Sequence, residues 1–262
     1  MSEMHDRTRL LVGSEGLERL AASRVAVFGL GGVGSAAAEQ LCRAGVGSLL
    51  LVDFDVVRPS NLNRQVLALR STLGRPKALV MAGRLADIDP GCRVEPRVAF
   101  FGEDTAETFG LAGFDCVLDC IDSLNPKVQL LRHCVALGVP VITAAGAAAK
   151  TDPVGVRVSD LFSTRHDPLA RHVRRRLRAA GITRGIPAVH SEELPVKNRG
   201  AAPEEDVYRR GRARVPVGSI SYLPPLFGCV MAGWVVRRLL GVGEGPGSTP
   251  AGPKPGTSTP LR

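Results

Sequence analysis

The sequence predicts an α/β fold: a Rossmann-like, doubly wound and mostly parallel sheet, with a C-terminal basic helical and loop extension. Three observations carry this expectation. Short apolar runs alternate with helical stretches through the first 145 residues, the pattern of strands buried on both faces and joined by helical crossovers. A glycine-rich turn, "GLGGVG" at 29–34, separates the first such run from the first of these helical stretches, where backbone amides can receive a phosphate. Positive charge is concentrated in the second half: between Arg165 and Arg214 thirteen Lys and Arg face six Asp and Glu, which supplies +7 of the formal +9.

Taken in order, "RVAVFG" (24–29) reads as a buried strand and "SAAAEQLCRAG" (35–45) as a helix closed by Gly45. "SLLLVD" (48–53) is the second strand, "KALVMAGRLADID" (77–89) a helix stopped by Pro90, and "RVEPRVAF" (93–100) an extended segment. "DCVLDC" (115–120) is a buried strand, followed by a helix over 126–137 and the strand "PVITAA" (140–145). Beyond these, Asp167 caps a helix with Pro168 at its first position and Gly181 at its end. In that helix Leu169, Val173 and Leu177 share one face, and Arg171, Arg174, Arg175 and Arg178 occupy the others. Residues 182–215 lack periodicity and are expected to form an irregular excursion. A closing apolar helix starts near Pro225, and 241–262, rich in Gly, Pro, Ser and Thr, is expected to be a disordered tail.

Composition narrows the class. With 44% hydrophobic residues in 262, the chain can bury a full core. No apolar run reaches the length of a membrane span, and the polar N-terminus is unlike a secretory signal, so a soluble cytoplasmic protein is expected. Six scattered cysteines without any C-x-x-C exclude a paired-cysteine zinc site and read as buried thiols. The basic segment is the expected footprint of a polyanion, a solvated basic face being the plainer alternative.

Gly29, Gly31 and Gly34 complete G-x-G-x-x-G, with Gly32 as a surplus glycine, and Asp53 closes the second strand where a carboxylate would meet ribose hydroxyls. This much suits NAD and ATP equally. The segment "DFDVVRPSNLNRQVL" (53–67) then packs Asn61, Asn63, Arg64 and Gln65 into five residues. A guanidinium and several amides beside a glycine loop suit an extended triphosphate, although a solvated polar loop would also carry such residues. Lys77 opens a helix, against the macrodipole, which an anionic ligand nearby would explain. "DCIDSLNPK" delivers Asp122 to the carboxyl edge of the sheet, where one carboxylate can share a magnesium ion with phosphates.

In this order, G-x-G-G-x-G, the Asp53-x-Asp55 pair, S-N-x-x-R-Q from Ser60, the helix-start Lys77 and the Asp122-Ser123 pair resemble the adenylating enzymes of the ubiquitin-activating superfamily. The resemblance implies that Gly32 and Asp53 bind the nucleotide, that residues 60–64 surround its phosphates, that Gln65 and Lys77 assist, and that Asp122 holds Mg2+. It also implies a homodimer in which an arginine of the N-terminal segment, Arg9 or Arg7, reaches the neighbouring subunit's site. Such enzymes join a carboxylate to the α-phosphate of ATP and expel pyrophosphate.

The second half is similar to the tRNA threonylcarbamoyladenosine dehydratases. The carrying stretches are Asp160-Leu161 ahead of the "DPLA" helix start, "VHSEELP" at 189–195 and "VGSISYLPPLFGCVMAGWVV". That likeness implies a tRNA partner on the basic segment, with Arg171, Arg174, Arg175 and Arg178 as contacts. It also allows a monovalent cation on the loop "AAGAAAK" (144–150), where only Gly146 remains of a glycine-rich pattern. The implied organisation is an ATP-binding adenylating core over 1–160, then a basic helix, loop and closing helix over 161–240 in the same domain. Two alternatives stay open: an activator of a small sulfur-carrier protein with a C-terminal glycine, and a nicotinamide-dependent redox protein. The first is disfavoured by the missing zinc pairs and by the lack of cysteine between Cys134 and Cys229; the second leaves Arg64, Gln65 and Asp122 without a task.

Overall fold

The structure is a computed structural model and describes residues 3–200 and 217–242. Its strands are β1 (Arg24–Phe28), β2 (Ser48–Val52), β3 (Arg93–Arg97), β4 (Cys116–Asp119), β5 (Val141–Ala144), β6 (Val156–Asp160) and β7 (Pro187–Ser191). They form one sheet in the order β3-β2-β1-β4-β5-β7-β6, parallel throughout except for β6, which runs antiparallel to β7. The order changes direction between β1 and β4, so the loops leaving these two strands open a crevice at the carboxyl edge.

The helices are α1 (Asp6–Ala22), α2 (Gly32–Ala44), α3 (Lys77–Ile88), α4 (Leu124–Leu137), α5 (Pro168–Ala179) and α6 (Leu223–Leu239). One face of the sheet sends Val25, Val27, Leu49, Leu51 and Leu118 into a core with Leu41, Met81, Leu85, Phe227 and Met231 of α2, α3 and α6. The other sends Ala26, Phe28, Leu50, Val52 and Val117 into a core with Leu130, Leu131, Val173 and Leu177 of α4 and α5. Because both faces are covered, β1, β2, β4 and β5 carry near-continuous apolar runs rather than an alternating pattern, with Arg24, Ser48, Asp119 and Thr143 as the polar exceptions. Helix α2 ends at Gly45, whose left-handed φ of 97° lets its N–H turn back to the Leu41 and Cys42 carbonyls. Helices α2 and α6 cross closely: a methyl group on Gly228 would lie 2.3 Å from the Val33 carbonyl oxygen.

Several expectations need correction. Residues 182–215 are not an irregular excursion throughout, since Pro187–Ser191 is a fully buried strand inserted between β5 and β6. "PAVHS" has no run of β-branched residues; its strand character comes from pairing on both sides, a tertiary effect that local propensity does not report. Strand β6 is likewise absent from the expected elements. Helix α2 begins at Gly32, three residues early, and α4 at Leu124, two early, while β3 ends at Arg97 rather than 100. The remainder of the excursion, 201–216, and the tail from 243 lie outside the described residues.

Candidate functional site: a glycine loop, a cation cluster and a carboxylate at the switch point

The four glycines of the loop serve different ends. Gly29 has φ of +86°, and a side chain there would meet the Cys120 carbonyl oxygen at 2.8 Å. A methyl on Gly34 would fall 1.8 Å from the Gly29 carbonyl oxygen, so that position sets the approach of helix to strand. Gly32 is packed from the other direction: a Cβ there would lie 2.7 Å from Pro224 Cβ of α6 and 3.1 Å from the Arg64 carbonyl oxygen. The surplus glycine therefore has a packing reason of its own. Gly31 is the open one, with Gln65 Nε2 at 3.8 Å as the nearest atom to an added methyl.

Asp53, at the end of β2, fastens this loop: its Oδ2 accepts from Leu30 N at 2.6 Å and its Oδ1 from Asp55 N at 2.8 Å. Burial pushes its carboxyl above the ordinary range, against the pull of Lys77 and of the two amides. The side chain is 8% exposed, and a ribose hydroxyl would use lone pairs the amides leave over. Lys77 is also buried, with Nζ 3.0 Å from Asp55 Oδ2 and its backbone N–H on the Asp55 carbonyl at 2.9 Å. Asp55 thus supplies one anion for this helix-start lysine from within the chain.

Between β2 and α3, the 3-10 turn Pro59–Asn61 is closed by Asn61, whose buried Oδ1 accepts from Arg58 N at 3.0 Å. Ser60 is exposed, and its carbonyl accepts from an Arg64 guanidinium nitrogen at 2.8 Å. The same nitrogen donates to Asn63 Oδ1 at 2.8 Å, while Asn63 Nδ2 donates to the Ser219 carbonyl at 3.1 Å. Gln65 is buried, and its Oε1 has no hydrogen-bond partner. The other end of the same amide, Nε2, is the atom nearest the open Gly31, so Gln65 brings a donor to the side of the loop where a phosphate would lie.

On the β4 side, Asp122 is exposed, and Ser123 Oγ lies 3.3 Å from its Oδ1. Beneath it sits a pair that the sequence does not single out. Lys127 Nζ donates to Asp119 Oδ2 at 2.6 Å and to Thr143 Oγ1 at 3.0 Å, and Thr143 donates to the same carboxylate oxygen at 2.6 Å. Asp119 Oδ1 accepts from Ile121 N at 3.2 Å, so the pair holds the turn that presents Asp122. Its one sequence signal is a carboxylate ending a buried strand with a lysine eight residues on, in an otherwise apolar setting. Among the described residues, no group of three or more His, Cys, Asp or Glu could hold a metal by protein ligands alone. The donor set fits a hard ion that shares one carboxylate with phosphates.

The remaining predicted residues are spread. Arg9, on α1, pairs with Asp6 at 2.7 Å. On α5, Arg171 and Arg175 are exposed, Arg178 lies over the Phe162 ring at 5.4 Å, and Arg174 is committed to Thr164 Oγ1. Arg176 bonds Asn125 Oδ1 near the Asp122 turn. Asp167 caps α5 through Ala170 N at 2.6 Å and also accepts Gly146 N at 2.8 Å, joining the basic helix to the loop after β5. Asp160 accepts from Phe162 N and Gly185 N, and Glu193 from the amides of Thr151 and Asp152.

The loop after β5, where the sequence allows a monovalent cation, carries a buried lysine. Lys150, 2% exposed, places its ammonium there and donates to the Ser191 carbonyl at 2.7 Å. Burial lowers its pKa, while Asp167 and Glu193 support its charge.

A glycine loop at the switch point of a parallel sheet, with cations beyond one strand and a carboxylate beyond the other, defines a nucleotide-binding protein of the adenylating class. The chain belongs to the ThiF family, whose family model matches residues 5–252. It is 42% identical over 243 residues to the tRNA threonylcarbamoyladenosine dehydratase of Bacillus subtilis, an alignment covering 92% of this chain and 96% of that protein. The E. coli tRNA N6-threonylcarbamoyladenosine dehydratase, solved in complex with ATP, superposes with a TM-score of 0.82 at 33% identity, over 91% of this chain and 94% of that one. The E. coli molybdopterin-synthase adenylyltransferase is 43% identical over 132 residues, 50% of this chain and 52% of that protein.

Proposed function

We propose that this chain is an ATP-dependent tRNA-modifying enzyme that adenylates the carboxylate of N6-threonylcarbamoyladenosine in the tRNA anticodon loop and drives its cyclisation. The carrying observation is the near full-length likeness to a dehydratase of that name, together with the fold shared with a dehydratase solved in complex with ATP. A substrate carboxylate oxygen attacks the α-phosphorus of ATP and pyrophosphate leaves. An atom of the substrate's own carbamoyl group then attacks the activated carbonyl, AMP departs, and a five-membered ring closes with net loss of water.

The protein's part is alignment and charge. Two anions must meet while charge grows on the leaving group, a barrier that preorganised donors lower without a protein nucleophile. Gly31 leaves room for the phosphates, Gln65 and the outer guanidinium nitrogens of Arg64 supply donors, and Asp53 takes the ribose. Lys77, fixed by Asp55, adds positive potential from below. Asp122, beside Ser123, is the group that would hold Mg2+, which would spread charge over the phosphates. Lys150 would add positive charge on the loop where the resemblance allows a monovalent cation.

Arg171 and Arg175 of α5 face outward and would meet tRNA phosphates, giving salt-sensitive binding. Leu10 and Leu11, 89% and 86% exposed beside Arg9, support a homodimer formed through α1. No helix among the described residues is long and apolar enough to cross a membrane, and a tRNA substrate is met in the cytoplasm. Adenylation of a sulfur-carrier protein is less supported, since the likeness to molybdopterin adenylyltransferases spans half of the chain.

The test is direct. Incubated with ATP, magnesium and tRNA carrying threonylcarbamoyladenosine, the protein is expected to form AMP and a nucleoside lighter by one water, detected by mass spectrometry under mild conditions. An unchanged nucleoside overturns the reading.

A further inference from the structure

Residues 217–222, just before α6, run as a strap over three loops at the carboxyl edge of the sheet. The Gly218 carbonyl accepts from Ala149 N at 2.8 Å, and Gly218 N donates to Asn198 Oδ1 at 2.9 Å. Tyr222 Oη donates to the Thr151 carbonyl at 2.8 Å, so the strap is pinned twice to the loop that follows β5. On the nucleotide side, the Ser219 carbonyl accepts from Asn63 Nδ2 at 3.1 Å. The orientation of that amide is chemically determined: its nitrogen faces a carbonyl and its oxygen faces the Arg64 guanidinium at 2.8 Å, and a flipped amide would forfeit both bonds.

Arg64 is therefore held from behind. One of its terminal nitrogens serves both Asn63 and the Ser60 carbonyl, which fixes that end of the guanidinium. Both ends of the Asn63 amide already have partners within the chain, Ser219 on the nitrogen and Arg64 on the oxygen, so its place is set without any phosphate. We propose that Asn63 is a positioning residue rather than a phosphate ligand, fixing Arg64 by tying it through Ser219 to a strap that Tyr222 anchors on the loop after β5. The phosphate clamp and the loop after β5, two segments far apart in sequence, then respond to one another through the strap. Linkage makes the effect reciprocal: a nucleotide on Arg64 steadies the strap, and a loosened strap blurs Arg64.

The inference rests on the adenylation reading for its kinetic readout, and hydrogen exchange tests it without that reading. Asn63 and Tyr222 are both exposed, so Asn63→Ala and Tyr222→Phe leave the core intact. In AMP formation with modified tRNA, Asn63→Ala is expected to lower kcat about tenfold while the KM for ATP stays within about threefold. Tyr222→Phe, which removes a hydroxyl remote from the phosphates, is expected to lower kcat about threefold, and the double variant to fall no further than Asn63→Ala. ATP is expected to slow amide exchange over 217–222 in the wild type and not in Asn63→Ala. A tenfold or larger rise in the KM for ATP in Asn63→Ala with kcat unchanged would make it a phosphate ligand and overturn the proposal, as would multiplying effects in the double variant. If the wild type forms no AMP, the adenylation reading fails, and the exchange result decides the strap's role by itself.

Discussion

Lys127 and Asp119 form an ion pair of 2.6 Å in which neither side chain is more than 2% exposed, directly beneath the turn that presents Asp122. Such a pair is costly to assemble and far costlier to break, because the surviving charge is left without water or partner. Removing the lysine by Lys127→Met is expected to destabilise the fold by about 3–5 kcal/mol, a drop of roughly 6–20 °C in Tm for a chain of this size. Burial already holds the Asp119 carboxyl above its ordinary range, with Lys127 pulling it down. Without Lys127 the folded-state pKa rises further above the unfolded one, so the folded form takes up protons more readily. Stability of the variant should therefore be best in acid and fall as pH rises toward the folded pKa. Thermal denaturation of both proteins from pH 5 to 8 checks the sign; a gap that narrows with rising pH contradicts it.

Gly31 and Gly32 are adjacent but make opposite predictions. Gly32→Ala drives a methyl to 2.7 Å from Pro224 Cβ and should lower Tm, since overpacking at such a crossing costs about 1–3 kcal/mol. Gly31→Ala meets nothing nearer than 3.8 Å and should fold normally, yet bind ATP at least tenfold more weakly because the methyl takes up room left for the phosphates. Calorimetry and denaturation on the two variants separate the roles. Intact ATP affinity in Gly31→Ala would move the phosphates elsewhere.

Arg64→Ala and Asp122→Ala are expected to lower AMP formation by about 10²–10³-fold, the usual effect of deleting one electrostatic stabiliser of a transition state. Binding of tRNA should persist in both. A parallel fall in tRNA affinity would remove these residues from the nucleotide side.

Lys150→Met should make the protein depend on potassium. Wild-type Tm is expected to be the same in potassium and tetramethylammonium chloride at equal ionic strength, and the variant to be selectively restored by potassium. A wild type that itself requires potassium would show that the lysine is no substitute for the ion.

Reversing Arg171 and Arg175 to Glu should weaken tRNA binding with little change in Tm. The slope of log affinity against log salt should become shallower by about 2, about one for each phosphate that the helix no longer neutralises. An unchanged slope would place the RNA on another face.

What was legible in the sequence follows from how local each signal is. Strands β1, β2, β4 and β5 are readable because strands buried on both faces are continuously apolar, and α5 because its cap, its Pro168 and its basic face lie within one stretch. Strand β7 is hidden because "PAVHS" becomes a strand only between two neighbours that a local reading cannot supply. At the site, the glycines and polar cluster are visible as types but not as partners. Lys77 suggests a ligand, and the structure adds a carboxylate from within the chain, Asp55; Gly32 suggests a phosphate, and the structure adds a packing neighbour far along the chain, Pro224. Asp119 and Lys127 go unread for the same reason: pairing in three dimensions turns two ordinary letters into a buried support.

The crossing of α2 and α6 also bears on the order in which the molecule can be made. Gly228 nests on the backbone of α2 and Pro224 on Gly32, so the first nucleotide-binding helix is sealed by the last helix of the described fold. During synthesis the sheet strands leave the ribosome first, but the face of α2 that awaits α6 stays uncovered until residues 223–239 have emerged. A nascent chain halted before that point leaves this face of α2 bare, so the packing around Gly32 is completed late in translation.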